Sequence, residues 1–254
     1  MLTASLIGLT VLVTVAATVY YATYAERSQW LGPTIWRGRT DSAFVALTFD
    51  DGPSGDTERI LDVLNNYGVS ATFFMVGRQI ETFPGIALRV AEAGHEIGNH
   101  SFSHPIYLYR SARETRRQLE RTQQIIADVT GVRARLARPP CGVRTPGYFR
   151  AASALGLKTV QWTVAGFDWK KRSPVDIAQS VLNDVSAGSI ILLHDGDSAN
   201  LRDRTATVEA LPLIIEGIRE KGLQIAPLAR LLNQERAMVV AKEGMKPMRK
   251  QPHA

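Results

Sequence analysis

Ionisable side chains collect just after apolar, β-rich runs in this sequence. Phe44–Phe49 leads into Asp50-Asp51-Gly52-Pro53, and His95–Gly98 into Asn99-His100-Ser101-Phe102-Ser103-His104. Arg138-Pro139-Pro140-Cys141-Gly142, Asp168-Trp169 and His194-Asp195-Gly196 follow three further runs. Two adjacent carboxylates repel, and a nearby cation relieves that repulsion. Asp-Gly-Pro is equally turn chemistry, so a plain turn explains the same residues. In an extended backbone consecutive side chains diverge, so one carboxylate can meet a metal while its neighbour faces a substrate water.

His100 and His104 are spaced i, i+4. On a helical turn both imidazoles share a side, as zinc pairs require, although core or solvated histidines fit a single pair as well. Adding one aspartate gives three protein ligands, the number found in catalytic sites that keep a position open. Oxygen and imidazole donors suit Zn²⁺, Co²⁺, Ni²⁺, Fe²⁺ or Mn²⁺. His194 reads either as a core histidine or as an acid opposite the metal, held protonated by Asp168. Arg138 reads either as a surface ion-pair residue or as a group orienting a carboxylate. Cys141 has no obvious partner for nucleophilic or ligand chemistry. Arg113, Arg117 and Arg121, interleaved with Glu114 and Glu120, read as a solvated helix face.

These residues need a scaffold that brings strand ends together. Seven strand-like runs are legible: Phe44–Phe49, Ala71–Val76, His95–Gly98, Arg135–Arg138, Thr159–Thr163, Ser189–Leu193 and Leu223–Ala226. Helical periodicity fills the gaps. Asp56 is expected to cap a helix over Ile60, Leu61 and Leu64, Ser111 and Glu114 to form a capping box, and Ser173-Pro174 to open another helix. Alternation of this kind predicts a parallel sheet with helices outside. Seven units over this length predict a closed or nearly closed α/β barrel, with a doubly wound open sheet as the alternative. In either, function sits at the carboxyl ends of strands, where the ionisable residues lie.

The chain has 254 residues, 45% of them apolar, one cysteine and a net charge of +6. A core is therefore available, and a disulfide framework or CxxC motif is excluded. The excess charge sits in the tail, where Glu235–Ala254 holds five Lys/Arg against two Glu. The body is nearly balanced, so no nucleic-acid footprint is expected. Leu2–Ala25 carries no charged side chain. At 1.5 Å per residue such a helix crosses a hydrocarbon core of ~30 Å, with Tyr20, Tyr21, Tyr24 and Trp30 near one interface. A cleaved signal peptide is the rival, but no basic residue precedes the run and Ala22-Thr23-Tyr24-Ala25 is a poor cleavage site. Arg27, Arg37 and Arg39 vote for a cytoplasmic body, a vote that a long folded domain weakens. The expected organisation is an anchor at 1–25, a linker at 26–42, a catalytic domain at 43–232 and a basic tail at 233–254.

Taken together and in this order, the segments resemble the polysaccharide deacetylase family, the NodB-homology domain of carbohydrate esterase family 4. Thr48-Phe49-Asp50-Asp51-Gly52-Pro53, His100-Ser101-Phe102-Ser103-His104 and Leu192-Leu193-His194 carry the resemblance, which covers roughly residues 43–232. It implies a distorted (β/α)₇ barrel, here preceded by a transmembrane helix. It implies Asp50 as general base, Asp51, His100 and His104 as ligands of one divalent metal, most commonly Zn²⁺, and His194 as general acid. Arg138 would orient the base, Asp168 tune the acid, and Trp169 and Leu192 line the pocket for the acetyl methyl. Cys141 stands where the family usually has an aromatic residue; its backbone N–H would help hold the oxyanion. Ala165 stands where an aspartate is frequent.

The reaction so implied is hydrolysis of N-acetyl groups on a polysaccharide or oligosaccharide such as peptidoglycan, a chitin-like chain or an exopolysaccharide. An O-acetyl esterase or a non-catalytic glycan-binding barrel are the alternatives. The expected partners are an acetylated glycan and, through the N-terminal helix, a membrane. The expected location is the cell membrane, single-pass, with the catalytic domain extracytoplasmic.

Overall fold

The computed structural model describes residues 2–197 and 202–232. The expected basic tail at 233–254 lies outside them. Among the described residues nine strands form: β1 (Thr34–Ile35), β2 (Phe44–Asp50), β3 (Thr72–Met75), β4 (Glu96–Asn99), β5 (Leu136–Ala137), β6 (Lys158–Val160), β7 (Val164–Ala165), β8 (Ile190–His194) and β9 (Gln224–Ile225). Eight α-helices accompany them: α1 (Leu2–Tyr24), α2 (Gly55–Asn66), α3 (Gly77–Thr82), α4 (Pro84–Glu92), α5 (Ala112–Thr130), α6 (Pro146–Ala154), α7 (Pro174–Asp184) and α8 (Thr205–Glu220).

Every strand pairing is parallel, in the order β1-β6-β5-β4-β3-β2-β8-β7, with β9 against the start of β2. β6 and β7 lie near opposite ends of this order, yet only residues 161–163 separate them. The sheet therefore curls until its ends approach. Gln161 N–H donates to the Ile35 carbonyl, Thr163 N–H to Ile190 and the Thr163 hydroxyl to Trp36, tying both ends together. The result is a distorted, incompletely paired barrel.

Side-chain alternation along β2 decides what faces where. Val45, Leu47 and Phe49 pack outward with Phe73, Ile191 and Leu193 under Ile60, Leu64, Val181 and Leu211 of the helices. Ala46, Thr48 and Asp50 belong to the opposite face, where Ala46 meets Phe74, Leu136, Val160 and Ile190. The apolar inner layer thus gives way to polar groups at the carboxyl end.

Three expectations need correction. Residues 26–42 are not a free linker: β1 adds to β6, and Gly38 N–H donates to the Gly188 carbonyl. The cap of α2 is Ser54, whose side chain shares a reciprocal box with Thr57; Asp56 sits inside the first turn and pairs with Arg59. At α5, Ser111 accepts from Glu114 N–H as expected, but the Glu114 carboxylate turns to Gln118 and Arg117, so only half the box forms.

Candidate active site

The register places the chemistry. Asp50 lies opposite His194 across β2 and β8, and Arg138 directly follows β5. Arg138 is fully buried. Its Nη1 donates to Asp50 Oδ1 at 2.7 Å and to the Thr48 hydroxyl at 2.8 Å, and its Nη2 to the Gln161 carbonyl at 3.0 Å. The guanidinium also lies 4.2 Å from the centre of the Phe74 ring. Burial pulls its pKa down and the Asp50 carboxylate opposes that, so a cation is kept in the interior by its partners.

Asp51 departs from the strand with φ = 76°, so its carboxylate takes a different direction from that of Asp50. His100 and His104 meet it from a loop rather than from the expected helical turn. Ser101 (φ = 68°) and His104 (φ = 54°) bend that loop. Asn99 Oδ1 accepts from Ser101 N–H, Gln118 Oε1 from the amides of Phe102 and Ser103, and the Ser101 hydroxyl from His104 N–H. His100 Nδ1 lies 2.7 Å from the Arg138 carbonyl. A carbonyl only accepts, so Nδ1 carries the proton and the neutral ring turns the Nε2 lone pair, a metal-binding atom, towards the space beside Asp51.

Asp51 Oδ1 is 3.4 Å from His100 Nε2 and 3.1 Å from His104 Nε2. It is nevertheless a buried oxygen with no hydrogen-bonding donor. The three candidate donor atoms lie within 4.8 Å of one another. A buried acceptor faced by two imidazole nitrogens fits a divalent cation, which satisfies all three at once. Burial raises the Asp51 pKa, but the two imidazoles outweigh it and the carboxylate stays ionised. Burial pushes His104 down, which favours the neutral ring that a metal requires.

On the other side, His194 Nδ1 lies 2.8 Å from Asp168 Oδ1. Asp168 Oδ2 accepts from His194 N–H at 2.7 Å and from the Thr207 hydroxyl at 2.9 Å. Burial disfavours the imidazolium, yet the Asp168 carboxylate wins and His194 is pushed up to about 8. Asp168 is held below the usual carboxylate range: its burial opposes this, and the facing His194 overrides it. The Trp169 ring stands edge-on to His194, 5.4 Å between centres.

These groups surround one cavity of about 470 Å³, to which Asp50, Asp51, His100, His104, Cys141, Trp169, Leu192 and His194 all contribute. Arg138 and Asp168 stand behind it, each bonded to a lining residue. Cys141 reaches the surface with φ = 53°, and partial desolvation of its thiol, then the Asp51 and Asp50 carboxylates, raise rather than lower its pKa, so it is no ready nucleophile. Trp162, Arg202 and Arg204 also line the cavity and were not anticipated. Trp162 falls inside a run read as one strand, which instead breaks between Val160 and Val164. Asp195, assigned no role from the sequence, is fully buried behind the site. It accepts from Thr57 and from Gly52 N–H where a Cβ on Gly52 would collide with it, and burial lifts its pKa to about 7.

Comparison with known proteins gives one consistent result. Residues 37–160 match the family model described as polysaccharide deacetylase. A peptidoglycan-N-acetylglucosamine deacetylase of Bacillus cereus is 38% identical over 192 residues, 75% of this chain and 69% of that protein. The PgdA peptidoglycan-N-acetylglucosamine deacetylase of Listeria monocytogenes is 37% identical over 64% of this chain; the match spans only 34% of that longer protein. Among solved structures, the Bc1960 peptidoglycan N-acetylglucosamine deacetylase superposes with a TM-score of 0.74 at 35% identity, covering 79% of this chain and 92% of that one.

Proposed function

The chain belongs to the polysaccharide deacetylase family, and we propose that it is a metal-dependent hydrolase that removes N-acetyl groups from a β-linked amino-sugar glycan of the peptidoglycan or chitin type. One observation carries this reading: Asp50, bonded to Arg138, and His194, bonded to Asp168, line the same cavity as the Asp51/His100/His104 cluster. A glycan-binding barrel has no use for either pair.

Asp51, His100 and His104 would hold the ion, with Zn²⁺ the best match to their donor set. A divalent cation there supplies Lewis acidity towards the acetyl carbonyl and acidifies water. Asp50, fixed by Arg138, takes the proton of the attacking water. The Cys141 N–H donates to the carbonyl oxygen as negative charge develops on it. His194, kept protonated by Asp168, gives its proton to the departing amine. Trp169 and Leu192 enclose the acetyl methyl. Base and acid need opposite protonation states at one pH, which is why each has its own partner.

The helix α1 contains a 19-residue stretch, Leu6–Tyr24, long and apolar enough to cross a membrane. We read it as a retained anchor with the body on the extracytoplasmic side, where wall glycan is found. Two experiments test the proposal. Acetate release from N-acetylated chitooligosaccharide and from peptidoglycan is expected, abolished by a chelator and restored by Zn²⁺. Protease added to intact cells should digest the body; protection equal to that of a cytosolic marker would refute the orientation.

A further inference from the structure

The last turn of α1 is not free of the body. Ala22, Thr23 and Ser28 are buried, whereas residues 6–20 are exposed. The burial is organised by Arg144, itself only 1% exposed. Its guanidinium donates to the carbonyls of Ala25, of Ser28 at 3.2 Å, and of Thr23 and Glu26 at 3.4 Å, and its backbone N–H to Thr23 at 3.2 Å. The last carbonyls of a helix lack partners within it and carry partial negative charge. Of these acceptors Thr23 lies in the last turn of α1 and the others in the turn that follows it, so Arg144 ties the end of α1 and the chain leaving it to the body. Tyr21 and Trp30, with ring centres 5.3 Å apart, close the same junction.

Arg144 stands two residues after Gly142 and three after Cys141, both of which line the catalytic cavity. The Gly142 carbonyl accepts from Gln161 Nε2, and its α-carbon abuts the Trp162 ring. Trp162 and Trp169 are also walls of a second cavity, about 430 Å³, completed by Trp36, Phe167, Glu26 and Arg27. The two cavities therefore share a wall of two tryptophans, and the second one reaches the residues that follow α1. Glu26 and Arg27 are two and three residues beyond Tyr24, hence within about 7–11 Å of the helix end. An undocked 26–42 segment would let the site wander up to about 55–60 Å. The docked one fixes it relative to the end of α1.

We propose that this enzyme acts on an acetylated glycan carried on a lipid in its own membrane, with Arg144 as the positioning residue that holds the groove at headgroup height. The proposal rests on the deacetylase reading above. The aromatic cavity presents broad apolar faces of the kind that pack on sugar rings. Its position beside α1 selects the glycan end that emerges from a membrane, over a strand of polymer far from it.

The test uses the full chain in vesicles with two probes: an N-acetylated chito-octasaccharide in solution, and the same octasaccharide linked through its reducing end to a lipid in those vesicles. Acetate release gives the rate, and mass spectrometry gives the unit that has lost its acetyl group. On the lipid-borne probe, loss is expected at the units nearest the lipid, with an apparent kcat/KM about ten-fold or more above that for the soluble probe. Arg144→Met should spread deacetylation along the chain and raise KM for the lipid-borne probe more than for the soluble one; Arg144→Lys should restore part of both. A wild-type protein that works on both probes at equal rate, or at every unit of the lipid-borne one, overturns the proposal without touching the deacetylase reading, even if the Arg144 variants do not fold. Hydrolysis of neither probe by metal-loaded protein would overturn the reading beneath it as well.

Discussion

Asp50 and Asp51 are neighbours in sequence with different surroundings, and substitution should separate them. Asp50 is bonded to Arg138, while Asp51 Oδ1 faces two imidazoles with no donor of its own. Asp51→Ala and His104→Ala should each lose bound zinc and activity together, measured by metal content after dialysis. Asp50→Asn should keep its zinc and lose roughly 10²–10⁴-fold in kcat; a zinc-free Asp50→Asn would mean the two roles are exchanged. The acid is tested through pH. His194 is protonated below about 8 because of Asp168, so if it sets the alkaline limb of kcat/KM, activity falls as pH rises through its pKa. Asp168→Asn removes the negative charge that favours the imidazolium, so the limb should move to lower pH. An unmoved limb in an active, zinc-loaded variant would uncouple the pair. Residue types made the gathering of these groups in one cavity legible, because few structural roles place carboxylates, imidazoles and an arginine after successive apolar runs. Trp162 was not legible, since a tryptophan within an apolar run has an ordinary explanation, and Asp195 was visible at a strand end without a role, since its partners Thr57 and Gly52 are distant in the chain.

At the scale of elements, the site depends on strands that touch no substrate. Gly98 of β4 lies beside Phe74 of β3, and a Cβ at Gly98 would collide with the Phe74 ring. That ring carries the Arg138 guanidinium, which in turn holds Asp50. Gly98→Ala should therefore act twice. Overpacking should cost about 1–3 kcal/mol in urea unfolding, and the displaced arginine should lower kcat while zinc content stays normal. A stable, fully active Gly98→Ala would show that the layer yields without passing the strain on. Seven strands were readable because β2 and β8 are long apolar runs and most of the others are bounded on one side by glycine, proline or a polar cluster. β1 and β7 were not: two-residue strands have no periodicity to detect, and both are defined by partners far away in the chain. The His100–His104 loop misled for a related reason. Its i, i+4 spacing imitates a helix, but Ser101 and His104 adopt positive φ, stabilised by Gln118 from α5.

Across the whole molecule, the stretch after the N-terminal apolar helix, residues 26–42, is the part that local sequence described least well, and its contribution can be measured. Composition identified an apolar helix and a polar stretch after it, and nothing local signalled that this stretch completes the barrel. Two shortened chains separate its contributions. One beginning at Gln29 and ending at Leu232 keeps β1 but removes the carbonyls of Thr23, Ala25, Glu26 and Ser28 from Arg144. Water then reaches the guanidinium, so the loss should be moderate, about 1–3 kcal/mol. Arg144→Met should add little further loss in that shortened chain while destabilising the full one, a coupling that a double-mutant cycle reads directly. A second chain, beginning at Asp41, also strips β1 from β6 and removes the Ile35, Trp36 and Gly38 hydrogen bonds that draw the sheet ends together. It should be the less stable of the two by a clear margin in urea midpoint, with lower acetate release at 37 °C. Equal midpoints for the two shortened chains would show that the barrel closes without β1. Equal stability of the Gln29 chain and the full one, compared in the same detergent, would show that Arg144 contributes nothing to holding the anchor on the body.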